Sequence, residues 1–411
     1  MVNVLALILA GGRVDELDVL TYFRPKSVLP FGALYRIIDF PMSNLMHSSI
    51  ERVGILSQYR PLRLIGHIAS GKPWDMIGRN RFATILPPFK GREASDWYKG
   101  TADAVYQNLE FVKGQKPDLV LILSGDHIYK MDYQELIAYH LEKKADLTIG
   151  FTPLPKVGPH RFGQASIEGR DRRGGKITRY AEKPKKHLLD WASLTIYLFK
   201  PDILVEALAA NAASESHEFG KDIIPDLLER CRVFGFKHYG YWGYARTLEE
   251  YWQTNMDLLG KHPRVDLASW QVMTNMADRN IRDCRPAVIG PSARVEDSLF
   301  YAGCTLKGTV VRSVLFPGVT VEEGAVVKDS ILFHDTCVKR EAQAVRVITD
   351  IEATVGARVR MGHDPHGALS VVGTRTYIPD ETIIGHGVTV HPNLDAGRFS
   401  RREYADGAVV K

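Results

Sequence analysis

Three nine-residue segments of this chain align without gaps: S-L-F-Y-A-G-C-T-L from Ser298, S-V-L-F-P-G-V-T-V from Ser313 and S-I-L-F-H-D-T-C-V from Ser330. They recur at intervals of 15 and 17 residues, rich in Val and small turn residues and poor in helix formers. That period predicts a hexapeptide-type repeat, a parallel β-helix whose coils have three short sides. One such coil cannot bury its apolar side chains alone and must stack on the next. An ordinary β-sandwich competes, but it gives no reason for the self-similarity. The change of texture begins after about Pro286, which sets a β-helix domain over residues 286–411, a linker over 261–285 and a separate domain over 1–260.

The first 260 residues alternate short apolar runs with amphipathic stretches. Residues 4–10 (V-L-A-L-I-L-A), 52–57 (R-V-G-I-L-S), 119–124 (L-V-L-I-L-S) and 145–152 (A-D-L-T-I-G-F-T) are predicted strands. Runs of this kind, separated by helical stretches such as 133–143, predict a mostly parallel α/β sheet covered by helices. In such sheets ligands bind at the carboxyl ends of the strands. L-A-G-G-R closes the first run and S-G-D-H-I-Y the third, so both fall at such ends. With 411 residues, 45% of them apolar, the chain can fill two cores. Lys and Arg number 53 against 48 Asp and Glu, a net +5 spread along the chain. That balance argues against a nucleic-acid partner and suits phosphorylated small molecules. Cys231, Cys284, Cys304 and Cys337 lie at least 20 residues apart with no C-x-x-C pair, so free thiols in a reducing cytoplasm are expected rather than a zinc site. The apolar opening is short and lacks a basic leader, and no run has the length of a membrane span; a cytoplasmic protein with no membrane partner is expected.

A pair of glycines after a strand is often only a tight turn. Here it heads an ordered series: L-A-G-G from Leu9, R-P-K-S-V-L-P-F-G from Arg24, Y-R-I-I-D-F-P-M-S-N from Tyr35, G-K-P-W-D from Gly71, I-L-P-P from Ile85, W-Y-K-G-T-A-D-A-V-Y-Q-N from Trp97, S-G-D-H-I-Y-K-M-D-Y from Ser124, A-E-K-P from Ala181 and F-G-K-D-I-I-P from Phe219. In this order and spacing they closely resemble the glucose-1-phosphate adenylyltransferase family, the ADP-glucose pyrophosphorylases of bacterial glycogen synthesis. The resemblance covers nearly the whole chain. It implies a Rossmann-like, mixed but mostly parallel sheet in the nucleotidyltransferase domain and a left-handed β-helix behind it. It also implies the reaction of ATP with glucose 1-phosphate to give ADP-glucose and pyrophosphate. In that reaction a phosphate oxygen attacks the α-phosphorus, so positioning and phosphate-charge stabilisation carry the catalysis. By the same resemblance Gly11, Gly12, Gln58, Gly100, Thr101 and Ala102 hold the nucleotide, and Tyr98, Gly163, Glu182, Lys183 and Ser193 hold the sugar phosphate. Lys26 and Asp126 are the catalytic pair, with Asp126 a Mg2+ ligand; helix capping is its plainer alternative. ATP or ADP-glucose and glucose 1-phosphate are the implied ligands, and a homotetramer, or a heterotetramer with a catalytic paralogue, the implied assembly. The run His363 to His366 suggests a metal, but a solvated turn explains it as well.

Two segments depart from the family pattern. The phosphate loop G-G-x-G-x-R-L reads G-G-R-V-D-E-L from Gly11, so Val14 stands for Gly and Glu16 for Arg. The family's W-R-D-V-G-T reads W-G-Y-A-R-T from Trp242, so Tyr244 stands for the second metal-binding Asp and Arg246 for Gly. A β-branched Val restricts the backbone where Gly is wanted. Glu16 brings a negative charge toward a triphosphate, where a unit charge at 4 Å is worth about 4 kcal/mol at a surface-like dielectric. A phenol is a poor Mg2+ ligand at neutral pH. Each loss on its own predicts roughly 10² to 10³ in rate. Compensation is open to Arg246, which can enter the space of the missing Arg, and to Asp15 or Glu16 at the second metal position. Leu34 stands where bacterial members carry a Lys tied to effector response. Two readings therefore stay open: an active adenylyltransferase with a rearranged site, and a non-catalytic regulatory subunit that binds nucleotide or sugar phosphate. A scaffold is disfavoured by the intact base and sugar segments, and another base or sugar is a further variant of the first reading.

Overall fold

Leu5, Ala6, Leu7 and Ile8 of the opening run are completely buried, as a strand covered on both faces requires. The computed structural model describes residues 2–12, 14–88, 97–155, 158–364 and 366–411. The chain packs as two units, Met1–Gly12 with Phe40–Trp242, and Arg13–Asp39 with Gly243–Lys411.

In the first unit nine strands make one sheet among the described residues: β1 (Val4–Leu9), β2 (Arg52–Leu56), β3 (Phe82–Leu86), β4 (Leu119–Ser124), β5 (Leu147–Pro153), β6 (Gln164–Glu168), β7 (Gly174–Ala181), β8 (Trp191–Phe199) and β9 (Val233–Lys237). Their order is β3-β2-β1-β4-β8-β5-β9-β7-β6. Strands β3, β2, β1 and β4 run parallel, as do β5 and β9. Strand β8 lies antiparallel between β4 and β5, and β7 is antiparallel to β9 and β6. The sheet is thus the Rossmann-like, mixed and mostly parallel one that the apolar runs predict. Helices cover it; that of Tyr133–Glu142 is capped by Asp132, whose carboxylate accepts from the Gln134 N–H, and buries Leu136, Ile137, Tyr139 and His140. At the carboxyl end of β4, Gly125 passes so close to β1 that an added Cβ would lie 2.8 Å from Ile8 Cγ2.

In the second unit, three parallel sheets of short strands form the three sides of a β-helix among the described residues. Leu299, Val314 and Ile331 are register partners on one side, and Thr305, Thr320 and Cys337 on another. The three aligned segments therefore stack coil on coil, giving the left-handed hexapeptide β-helix that the repeats and the family resemblance imply. The leading serine of each segment has a structural reason. Ser298 Oγ accepts from Ser313 N–H, Ser313 Oγ from Ser330 N–H and Ser330 Oγ from Val347 N–H, each at 3.1 Å. Val310, Leu315, Val327, Leu332, Val338 and Val355 fill the interior.

Residues 13–39 pack in this second unit. Arg24 is buried with its guanidinium on both carboxylate oxygens of buried Asp350. A short hairpin pairs Pro30–Phe31 with Tyr35–Arg36. The Tyr251 hydroxyl donates to Pro30 O, and Asn255 Oδ1 accepts from Gly32 N–H at 3.0 Å. Both partners belong to helix Leu248–Met256, which opens on a capping box of Thr247 and Glu250.

Candidate active site

At the end of β1, a Cβ on Gly11 would lie 3.1 Å from Gln58 N, so the glycine admits the end of β2 at close range. A Cβ on Gly12 would meet nothing within 4 Å among the described residues. Gln58 spends its side-chain amide on the backbone of Tyr98: Oε1 accepts from Tyr98 N–H at 2.7 Å and Nε2 donates to Tyr98 O at 3.4 Å. Its role is thus to fix the W-Y-K-G-T segment. The Tyr98 ring is buried, its hydroxyl donating to Leu86 O and accepting from Asn108 Nδ2, both at 3.0 Å. Burial raises this phenol above its ordinary pKa.

Residues 99–102 are fastened to residues 217–219. Thr101 Oγ1 donates to Glu218 Oε2 at 2.6 Å and accepts from Phe219 N–H at 3.1 Å, and Ala102 N–H donates to His217 O at 2.9 Å. Gly100 fits because a Cβ there would sit 2.3 Å from His217 O. One residue further along, a Cβ on Gly220 would lie 2.1 Å from Glu182 Oε2. Residues 217–220 thus touch both the segment 99–102 and the Glu182 carboxylate. Glu218 and Gly220 carry these contacts; F-G-K-D was visible in the sequence as a motif, without roles for its neighbours.

The structure brings Gly163, Glu182, Lys183 and Ser193 together. Ser193 N–H donates to Gly163 O at 2.8 Å, and Lys183 Nζ stands 3.6 Å from Glu182 Oε1. Tyr180, absent from the sequence-derived set, donates its hydroxyl to Glu182 Oε2 at 2.6 Å. Burial, then the neighbouring Tyr197 and Glu182, raise the Tyr180 phenol well above its ordinary pKa, so it remains a donor. Two non-glycine residues here hold left-handed backbone, Lys183 (φ 43°) and Thr195 (φ 53°). For β-branched Thr195 that is strained, and strain of this kind collects at ligand sites. At the end of β4, Asp126 Oδ1 accepts from Ser124 Oγ and lies 3.4 Å from His127 Nε2; the His127 ring meets the edge of Trp242 at 5.4 Å between centroids.

In the second unit three of the residues that depart from the family pattern, Glu16, Tyr244 and Arg246, are joined by hydrogen bonds. Glu16 Oε1 accepts from Arg246 Nε at 2.9 Å, and Arg246 Nη1 donates to the Tyr244 hydroxyl at 3.3 Å. Arg246 also gives its backbone N–H to Glu250 of the capping box, at 3.0 Å. Lys26 is buried, donating from Nζ to Tyr244 O at 2.5 Å with its ammonium 4.8 Å from the centre of the Tyr244 ring. Val14 takes extended backbone (φ −124°, ψ 104°), which a β-branched residue favours, so the lost glycine leaves no strain at that position. Arg13, between Gly12 and Val14, lies outside the described residues.

Residues 5–261 match the family model described as nucleotidyl transferase, and residues 289–370 that described as GlmU-like, C-terminal hexapeptide. The glucose-1-phosphate adenylyltransferase of Acetivibrio thermocellus is 39% identical over 97% of this chain and 95% of its own length. That of Thermotoga maritima is 41% identical over 100% and 99%, and that of Geobacillus stearothermophilus 43% identical over 79% and 83%. The chain belongs to the glucose-1-phosphate adenylyltransferase family.

Within that family frame the described residues contain no group of three or more His, Cys, Asp or Glu able to hold a metal ion. Pro365, inside the His363 to His366 run, lies outside the described residues; the His363 ring packs on that of His386 at 4.3 Å. Among the described residues no helix is long and apolar enough to cross a membrane.

Proposed function

We propose that this chain transfers the adenylyl group of ATP to glucose 1-phosphate, releasing pyrophosphate, and that it does so with a rearranged phosphate site. Gly11 and Gly12 give the nucleotide close backbone approach, and the segment 99–102, fixed by Gln58 and Glu218, receives the base. Glu182, Lys183 and Ser193 receive the sugar phosphate, with Gly163 as its floor; the buried Tyr98 serves as a wall. Lys26 supplies a fixed cation for phosphate charge. One observation supports catalysis over the regulatory reading: Arg246 donates to Glu16, the position whose arginine is missing. Arg246, where the family has Gly, brings a guanidinium to that position, its direction set by Glu16 and the Tyr244 hydroxyl.

Mg2+ takes one or two carboxylates together with substrate phosphates and waters. Asp126, a single carboxylate at a strand end, suits an ion that arrives with ATP and neutralises the leaving pyrophosphate. A cytoplasmic protein assembled as a homotetramer, or with a catalytic paralogue, accords with this reading.

The test is pyrophosphate release from ATP and glucose 1-phosphate with Mg2+, for the natural chain and for Arg246→Ala. The expected result is turnover by the first and a loss in kcat/KM for ATP of about 10² in the second, the usual cost of removing one charge-stabilising donor. Absence of turnover, with ATP binding indifferent to Arg246→Ala, would sink the proposal.

A further inference from the structure

The side chain that carries sugar recognition has a soft torsion. The terminal χ3 of a glutamate is broad and roughly two-fold, so a carboxylate needs outside contacts to present one oxygen in one direction. Around Glu182 those contacts are visible. Oε2 accepts the Tyr180 hydroxyl at 2.6 Å. The same oxygen lies where a Cβ on Gly220 would come within 2.1 Å and one on Gly163 within 2.7 Å, and the Gly163 Cβ would also lie 2.1 Å from Tyr180 Oη. Phenol and carboxylate therefore fit together into the space left by two missing side chains. Glu182 Oε1 has Lys183 Nζ at 3.6 Å and is the oxygen left to accept from a ligand.

We infer that Tyr180 is a positioning residue for sugar recognition: its hydroxyl locks the Glu182 carboxylate on Oε2 so that Oε1 accepts one hydroxyl of the sugar. This rests on the sugar-phosphate reading of Glu182 and adds a residue and a discrimination to it. A site built around a fixed acceptor rejects a sugar that lacks the matching hydroxyl, because the acceptor is then left unpaired. Without the phenol hydroxyl, Oε2 gains room beside Gly163, the carboxylate turns, and that discrimination weakens. The ligand class is a hydroxylated sugar 1-phosphate.

Calorimetric titration tests this with glucose 1-phosphate and, separately, with ATP, on the natural chain, Tyr180→Phe and Gly163→Ala. The second variant perturbs the same oxygens from the other side should the first fold poorly. The expected result is about tenfold weaker binding of glucose 1-phosphate by either variant, the loss of one ordinary hydrogen bond, with ATP affinity within about twofold of the natural chain. Among mono-deoxy analogues of glucose 1-phosphate, one should bind the natural chain and Tyr180→Phe equally, and it identifies the hydroxyl concerned. Equal sugar affinity in Tyr180→Phe and the natural chain overturns the inference, as does a parallel loss of sugar and ATP, which marks a merely structural role. If the natural chain binds ATP but no glucose 1-phosphate at millimolar concentration, the sugar reading itself fails and takes the inference with it.

Discussion

His140 shows how one buried group sets a pH limit. It is 1% exposed and shares a hydrogen bond with the Thr148 hydroxyl at 2.8 Å. Burial, helped by the nearby Lys200 ammonium, lowers its pKa to about 4, against an ordinary 6.5. The folded protein therefore binds this proton less readily than the unfolded chain. The resulting stability is complete above about pH 6.5 and is lost as the pH falls toward 4, by up to about 3 kcal/mol. A series of thermal midpoints between pH 4 and 7 should fall less steeply for His140→Gln than for the natural chain; parallel curves would refute the assignment. At this scale the candidate site was partly legible. Glu16 and Tyr244 stood out because a motif makes specific demands at their positions. Arg246 was legible as a cation able to fill the gap, although its carboxylate partner lies 230 residues away. Tyr180 was not legible: a phenol two residues before a glutamate looks like any aromatic of the core, and its contact with Glu182 depends on the room that Gly163 leaves beside the hydroxyl and Gly220 beside the carboxylate.

Among the elements, the serine ladder of the β-helix carries a gradient. Ser330 is fully buried; its Oγ donates to Lys328 O at 2.7 Å and accepts from Val347 N–H at 3.1 Å. Ser330→Ala leaves the Val347 N–H without its acceptor, while Lys328 O keeps the Arg346 N–H, and should cost about 1 to 3 kcal/mol. Ser298, toward the open first coils and only half-buried, should cost about 0.5 kcal/mol or less when changed to Ala. Urea midpoints of the two variants give the comparison, and equal shifts would show that the ladder is not a stabilising device. The β-helix was legible because each coil repeats its predecessor, so three short segments displayed the register of the whole stack. The parallel strands were legible as apolar runs. What the sequence did not display is the insertion of β8 antiparallel between β4 and β5, since pairing over long separations depends on which faces remain to be covered rather than on any local pattern.

At the scale of the whole molecule, residues 13–39 pack in the unit that also holds 243–411. Nothing in their composition announces this, because the deciding partner, Asp350, is far away in sequence. Asp350→Ala would leave the Arg24 guanidinium buried without its counter-charge, at a cost of about 3 to 5 kcal/mol. Differential scanning calorimetry should show a clearly lowered midpoint, and an unchanged one would mean that water reaches Arg24 after all. The same ion pair constrains the birth of the protein. Arg24 and Asp350 are 326 residues apart. At an elongation rate of about 5 to 20 residues per second, the guanidinium is made about 16 to 65 seconds before its carboxylate. During synthesis the segment 13–39 is therefore an unclaimed strap, and the second unit reaches its final packing only after most of the chain has been translated.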